Sequence, residues 1–330
     1  MIKILDCTLR DGGYINNWNF GRENAQNIIS MLQKALIDYI EIGFITTEPS
    51  TNNQTLFDSF EKIKDFLPQK CDKSKLCAMI TIGKFPISFV PDASSSPIGA
   101  LRVIFKKNSQ DEVLEYSEQI KEKGYKLFIN PTFTDQYSDE EFISLLKKIE
   151  KINPYAVSVV DSMGVMKEND VIRLYHLLDN NLSRNIALCF HSHNNLQLSF
   201  SNAQSLIKIC QGRELILDST AFGMGRAAGV LSTELISRFL NEKYESNYDV
   251  DIILKVIEKY ITPVFNKTPW GYSMPYYLSA INHCHPNYAK FLADRNISSV
   301  ETINDILKSI PDDKKAIYDS NLIERIVRTN

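Results

Sequence analysis

The chain has 330 residues, enough to bury a large core, and its 37 basic and 40 acidic side chains are spread along it for a net charge of −3. No basic block follows a phosphate backbone, which excludes nucleic acid as a partner, and no apolar run nears the roughly 18 residues needed to cross a membrane. Six cysteines without a Cys-x-x-Cys pair, and an amino terminus lacking a basic stretch before an apolar core, point to a reduced, cytoplasmic setting.

The first apolar run, residues 2–6, reads as a buried strand. It leads into Asp6-Cys7-Thr8-Leu9-Arg10-Asp11-Gly12-Gly13-Tyr14, an oppositely charged pair followed by two glycines that let the backbone turn tightly. Further strands are predicted at 38–43, 76–82, 100–106, 125–130, 155–160, 186–191 and 214–218. Helical spacing recurs at 22–36, 54–66, 110–123, 138–151, 168–180, 195–210 and 231–241, while Pro86, Pro91 and Pro97 leave 84–98 without a clear helical reading. Eight strands alternating with helices imply an α/β fold with a parallel sheet closed into a (β/α)8 TIM barrel. An open doubly wound sheet would need a phosphate loop after an early strand, and Arg10-Asp11-Gly12-Gly13 has the wrong spacing for one.

Past residue 244 the alternation stops, and helices are predicted at 251–265, 276–281, 286–292, 300–308 and 312–328. This divides the chain into a barrel domain, 1–244, and a C-terminal helical extension, 245–330. Aromatic residues from Trp270 to Tyr277 could cap the barrel mouth or cover an interface with a second copy or a partner enzyme. His283-Cys284-His285 lies in a helical region, where residues two apart face different ways, and reads as structural.

Two later stretches give the Arg10-Asp11 pair its meaning. His191 and His193 end a strand, so alternation puts both imidazoles on one face at its carboxyl end, and neutral imidazole is a favoured ligand of divalent metals. Phe222-Gly223-Met224-Gly225-Arg226-Ala227-Ala228-Gly229 follows the next strand, and such a loop can aim backbone N–H groups at an anion.

Thr8-Leu9-Arg10-Asp11-Gly12, His191-Ser192-His193-Asn194 and Gly223-Met224-Gly225-Arg226, in that order, resemble the TIM-barrel metallolyases of the HMGL-like superfamily. That group includes hydroxymethylglutaryl-CoA lyase, isopropylmalate synthase and 4-hydroxy-2-oxovalerate aldolase, and Ile15-Asn16-Asn17-Trp18 looks most like its aldolase branch. The resemblance implies a carbon–carbon lyase acting on a 2-oxo acid such as pyruvate and an aldehyde, with Asp11, His191 and His193 holding Mn, Mg, Co or Zn. Arg10 would stabilise enolate charge, with Asp6 and Thr8 behind it on the strand's inward face.

Three positions depart from the family pattern. Gly12 and Val230 stand where the synthases and the CoA lyase carry Glu and a metal-binding Asn, and Tyr14 stands where the aldolases place a His that serves as base. Tyr14 becomes the candidate proton carrier if a nearby cation lowers its pKa, with metal-bound water, Glu48 or Tyr272 as substitutes. Glu41, Asp161, Ser162, Arg226 and Tyr272 are further candidates for substrate contact, and Asn130 and Thr132 for lining the pocket. Two other functions stay open: an acyl-CoA-dependent Claisen enzyme of the same superfamily, and a non-catalytic barrel that scaffolds a partner enzyme.

Overall fold

A computed structural model describes residues 1–329. Its eight principal strands are β1 (Ile2–Asp6), β2 (Tyr39–Ile45), β3 (Leu76–Thr81), β4 (Ala100–Phe105), β5 (Lys126–Pro131), β6 (Ala156–Asp161), β7 (Ala187–Ser192) and β8 (Leu215–Ser219). All pair in parallel with their sequence neighbours, and β1 pairs with both β8 and β2, through Leu5 with Asp218 and Leu5 with Tyr39. The sheet is therefore a closed TIM barrel, as the eight apolar runs predict.

Both faces of these strands are buried, which is why they read as unbroken apolar runs rather than alternating ones. Inside the barrel, Leu5, Cys77, Ala100, Ala156, Ala187 and Cys189 surround Phe128 and Tyr39. Small side chains fit the narrow interior, which suits Cys77 and Cys189 there, and all six cysteines of the chain are unpaired. Outside, helices bury one stripe each; in Arg22–Lys34 it is Ala25, Ile28, Ile29 and Leu32, at helical spacing.

The predicted helices appear with small shifts. The 54–66 segment is divided into a two-residue strand, Leu56–Phe57, and the helix Phe60–Phe66 capped by Ser59. Around the three prolines only the 3-10 turn Ile87–Phe89 forms. Residues 312–328 make two helices, Asp312–Lys315 and Ser320–Thr329. No helix among the described residues is long and apolar enough to span a membrane.

Beyond the last barrel helix, Val250–Val256 continues through a π turn, and its Ile253, Val256 and Ile261 join the barrel's outer core. A second core forms from Leu278, Tyr288, Leu292, Ile303, Leu307 and Ile323. The Tyr288 hydroxyl, 3.0 Å from the Lys314 carbonyl and 2.9 Å from that of Ile317, also accepts the Asp319 N–H at 3.1 Å. These bonds pin residues 314–319 over the carboxyl end of the barrel.

Candidate active site at the carboxyl end of the barrel

Strand β1 stops at Asp6, and the chain turns at once into a helical turn, Thr8–Asp11. Arg10 and Asp11 are thus set at the strand's carboxyl end by a turn, and the expected alternation of Asp6, Thr8 and Arg10 on one strand face does not occur. Asp6 instead accepts the Thr8 N–H at 3.0 Å and the Thr233 hydroxyl at 2.7 Å, while Thr8 Oγ1 accepts the Ala221 N–H at 2.8 Å. These bonds lock the turn to the loop after β8. Gly13 is required for close approach: a Cβ there would lie 2.0 Å from the Trp18 ring.

Arg10 is 4% exposed. Its Nε donates to Glu41 Oε2 at 2.7 Å and its Nη1 to Asp11 Oδ2 at 2.5 Å. Burial alone would lower the guanidinium pKa, but Glu41 and Asp11 carry it above its ordinary value, so it stays charged. Burial would push the Asp11 carboxyl up; Arg10 and His191 hold it well below the usual carboxylate range.

His191 Nε2 lies 3.4 Å from Asp11 Oδ2, and His191 Nδ1 lies 3.0 Å from Asp218 Oδ2. The second contact holds a proton on Nδ1, so that the neutral ring has its Nε2 lone pair to offer a cation beside Asp11. Burial works against protonation of His191, yet its bonds to Asp11 and Asp218 raise its pKa. Burial takes His193 the other way, to about 3, so it is a neutral imidazole. The two rings sit 5.4 Å apart and nearly perpendicular. Donor atoms of Asp11, His191 and His193 all lie within 4.8 Å of one another.

These residues fit a divalent cation. Asp11 Oδ1 and His193 Nδ1 are buried without a hydrogen-bond partner, an arrangement that is costly unless something binds them. A Cβ on Gly225 would stand 2.8 Å from Asp11 Oδ1, so glycine keeps that space open. Cys7, His191 and Asp218 form a second possible donor group, but the Cys7 thiol donates to the Ser219 carbonyl at 3.3 Å and Asp218 is already bound to Arg102 and His191. Val230, as its side chain requires, offers no donor; it forms a backbone bridge to His193.

Three residues of the site are not among the candidates that the sequence offers for it. Arg102, 1% exposed inside the barrel, reaches Glu41 at 3.2 Å and Asp218 at 2.5 Å. The buried network of Arg10 and Arg102 with Asp11, Glu41 and Asp218 therefore holds one more carboxylate than guanidinium, a balance a cation corrects. An arginine within the apolar run 100–106 was the available signal for Arg102, and Asp218 at a strand end was the signal for its partner. His285, read as structural, lines the cavity and meets Arg226 at 3.1 Å.

The cavity above this network measures about 510 Å³ and is lined by Arg10, Asp11, Tyr14, His191, His193 and Arg226, and also by Ser162, Asn130 and Thr132. Three candidates for substrate contact lie elsewhere. Glu41 is fully buried beneath Arg10 and Arg102, which take up its carboxylate. Asp161 accepts the N–H groups of Val165 and Met166 at 2.9 and 3.0 Å and shapes the loop after β6. Tyr272 is 55% exposed, outside the lining, with its ring 6.3 Å from Tyr277.

The aromatic segment does not cap the mouth either: Trp270 packs on Phe265 and Phe222, and the outer wall comes from His285, Ala316 and Ile317. Glu48 is exposed and paired with Lys84 at 3.2 Å. Tyr14 does line the cavity, edge-on to Trp18 at 4.8 Å, but burial raises its pKa against the pull of Arg226 and Arg10. The glycine-rich loop spends the N–H groups of Met224, Ala228, Gly229 and Val230 within the fold, and its contribution to the cavity is Arg226.

A closed parallel barrel with buried arginine, carboxylate and paired imidazoles at its carboxyl end is the framework of a divalent-metal-dependent, aldolase-like carbon–carbon lyase. The chain belongs to the HMGL-like family, whose model matches residues 1–259. It is 26% identical over 269 residues to a 4-hydroxy-2-oxovalerate aldolase of Geobacillus genomosp. 3, covering 80% of this chain and 78% of that one. It is 24% identical over 273 residues to an oxaloacetate decarboxylase of Mycobacterium tuberculosis, covering 82% and 79%. Among solved structures, the N-terminal domain of a Bacteroides vulgatus protein provisionally termed an aldolase superposes with a TM-score of 0.74 at 28% identity, over 91% of this chain and 98% of that one. Hydroxymethylglutaryl-CoA lyase of Pseudomonas aeruginosa shares the fold, with a TM-score of 0.63 at 15% identity over 81% and 94%.

Proposed function

We propose that the protein makes or breaks the bond between C3 of pyruvate, or a close 2-oxo acid, and the carbonyl carbon of an aldehyde. The observation that carries this reading is Arg10, charged and fixed by Glu41 and Asp11 beside the donor set of Asp11, His191 and His193. The similar aldolase and decarboxylase share one chemical need, since each cleavage leaves an electron pair on the carbon next to a 2-oxo acid's carbonyl.

Asp11, His191 and His193 would hold a divalent ion, which supplies Lewis-acid polarisation when bound; Mn, Mg, Co and Zn all accept such mixed oxygen and nitrogen donors. Arg10 commits Nε and Nη1 to Glu41 and Asp11, so Nη2 is left to donate to the enolate oxygen. In the forming direction the methyl group of pyruvate gives up a proton to solvent, and its carbon, keeping the C–H electron pair as the enolate, attacks the aldehyde carbon. The aldehyde π pair moves onto oxygen, which takes a proton. Tyr14 lines the cavity, and its phenol, neutral near pH 7, suits the role of that proton's donor. Cleavage runs the same steps backwards, without net oxidation.

The test is solvent deuterium exchange into the pyruvate methyl group, followed by proton NMR, with metal-stripped protein and with Mn or Mg restored. Exchange should require metal and fall at least about 100-fold in Arg10→Ala, the scale of losing one oxyanion donor. Absence of exchange in protein shown to hold metal would overturn the pyruvate reading.

A further inference from the structure

Arg226, half-buried in the cavity wall, differs from the buried arginines described. Arg10, Arg102 and Arg213 each hold a carboxylate, the last through Asp179 at 3.0 Å. Among the described residues Arg226 has none. Its Nη2 donates to the Ser162 carbonyl at 2.8 Å, its guanidinium carbon stands 5.8 Å from the centre of the Tyr14 ring, and its Nε is buried without a partner.

The remaining arm meets an imidazole with a proton conflict. His285 precedes the helix Pro286–Asp294, and its Nδ1 accepts the Asn287 N–H at 3.1 Å. Burial and the charges of Arg226 and Lys106 hold its pKa near 3, so the ring is neutral and carries one proton. With Nδ1 accepting, that proton sits on Nε2, which faces Arg226 Nη1 at 3.1 Å. Two N–H donors then confront each other. An oxyanion seated beside the pair, off the line joining the two nitrogens, would accept from both.

The surroundings agree. Lys106 follows directly on β4, lines the same cavity and has no carboxylate partner among the described residues, whereas Lys84 is paired with Glu48. Asp11 is the one carboxylate among the lining residues, and Arg10 already binds it. A cavity of about 510 Å³ also exceeds what pyruvate and a two-carbon aldehyde together need.

We propose that Arg226, His285 and Lys106 form an oxyanion subsite in the outer cavity wall, and that the acceptor aldehyde carries a carboxylate or phosphate bound there. The proposal rests on the aldolase reading for the word acceptor, but the subsite is testable without turnover. Metal-loaded protein is titrated with glycolaldehyde phosphate, with glyoxylate, and with uncharged glycolaldehyde, and the imidazole signals of the five histidines are followed by long-range proton–nitrogen NMR.

Saturable shifts of His285 with a charged compound, absent with glycolaldehyde and abolished in Arg226→Gln, are expected; which charged compound acts identifies the anion. No shift of His285 with either anion would overturn the subsite, whatever pyruvate exchange shows. In turnover, kcat/KM for the preferred charged acceptor should exceed that for glycolaldehyde by about 100-fold, in line with charge-assisted hydrogen bonds. That ratio should shrink at least tenfold in Arg226→Gln and in Lys106→Ala. Equal use of charged and uncharged aldehydes by an enzyme that exchanges pyruvate would refute the proposal and leave the pyruvate reading standing.

Discussion

Asp218→Asn is the most informative single change, because Asp218 touches every tier of the site without lining the cavity. Its Oδ2 lies 2.5 Å from Arg102 Nη2 and 3.0 Å from His191 Nδ1, and its Oδ1 accepts the Cys189 thiol at 3.0 Å. Asparagine preserves the shape and one accepting oxygen while removing the charge. Breaking a buried ion pair commonly costs about 3–5 kcal/mol. Arg102 keeps Glu41 at 3.2 Å, so the expected loss of folding stability is toward the low end, about 3 kcal/mol.

The effect on metal is separate. A carboxylate that orients a ligating imidazole is worth about 10–100-fold in affinity, or roughly 1.4–2.7 kcal/mol. The amide oxygen still receives the Nδ1 proton of His191, which keeps the tautomer and places the expected loss nearer tenfold. Chelator-competed Mn binding and urea unfolding on the same protein read the two effects independently. A folded Asp218→Asn protein binding Mn within twofold of the parent would refute the argument that Asp218 aims His191 at a cation.

Three further outcomes follow from named contacts. Gly225→Ala places a methyl group 2.8 Å from Asp11 Oδ1, so metal affinity should drop at least about tenfold with little change in unfolding midpoint, read by the same Mn titration. Tyr288→Phe removes the hydroxyl that binds Lys314, Ile317 and Asp319; about 1–3 kcal/mol should be lost, with faster amide exchange at 314–319. Burial raises Asp161 to about 7, whereas the unfolded carboxyl titrates near 3.9. Between those values the folded state binds the extra proton, so this group's stabilising contribution is full below about pH 4 and declines as pH rises to 7. Comparing urea midpoints across pH 4–8 with Asp161→Asn isolates the slope, and identical profiles would show that Asp161 is ionised throughout.

The amino-acid sequence by itself determined the eight strands and the positions of Arg10, Asp11, His191 and His193. A barrel strand is a short apolar run, and a catalytic residue at its carboxyl end is adjacent in sequence to that run, so a local window contains both. The closed barrel follows from repetition of that local unit. What binds to what across the barrel is another matter. Arg102 and Asp218 are separated by 116 residues, and Arg226 and His285 by 59, so no local pattern reports their contacts.

Tertiary structure also reassigned residues whose types fitted substrate contact. Glu41 went beneath the arginines, Asp161 to a loop's backbone and Tyr272 to the outside, while His285 came from a helix start into the cavity wall. The physical reason is the same in each case. Strand alternation fixes only the face from which a side chain leaves the sheet, whereas burial strongly favours partners for each charge, and closing β1 onto both β8 and β2 chooses which partners are in reach.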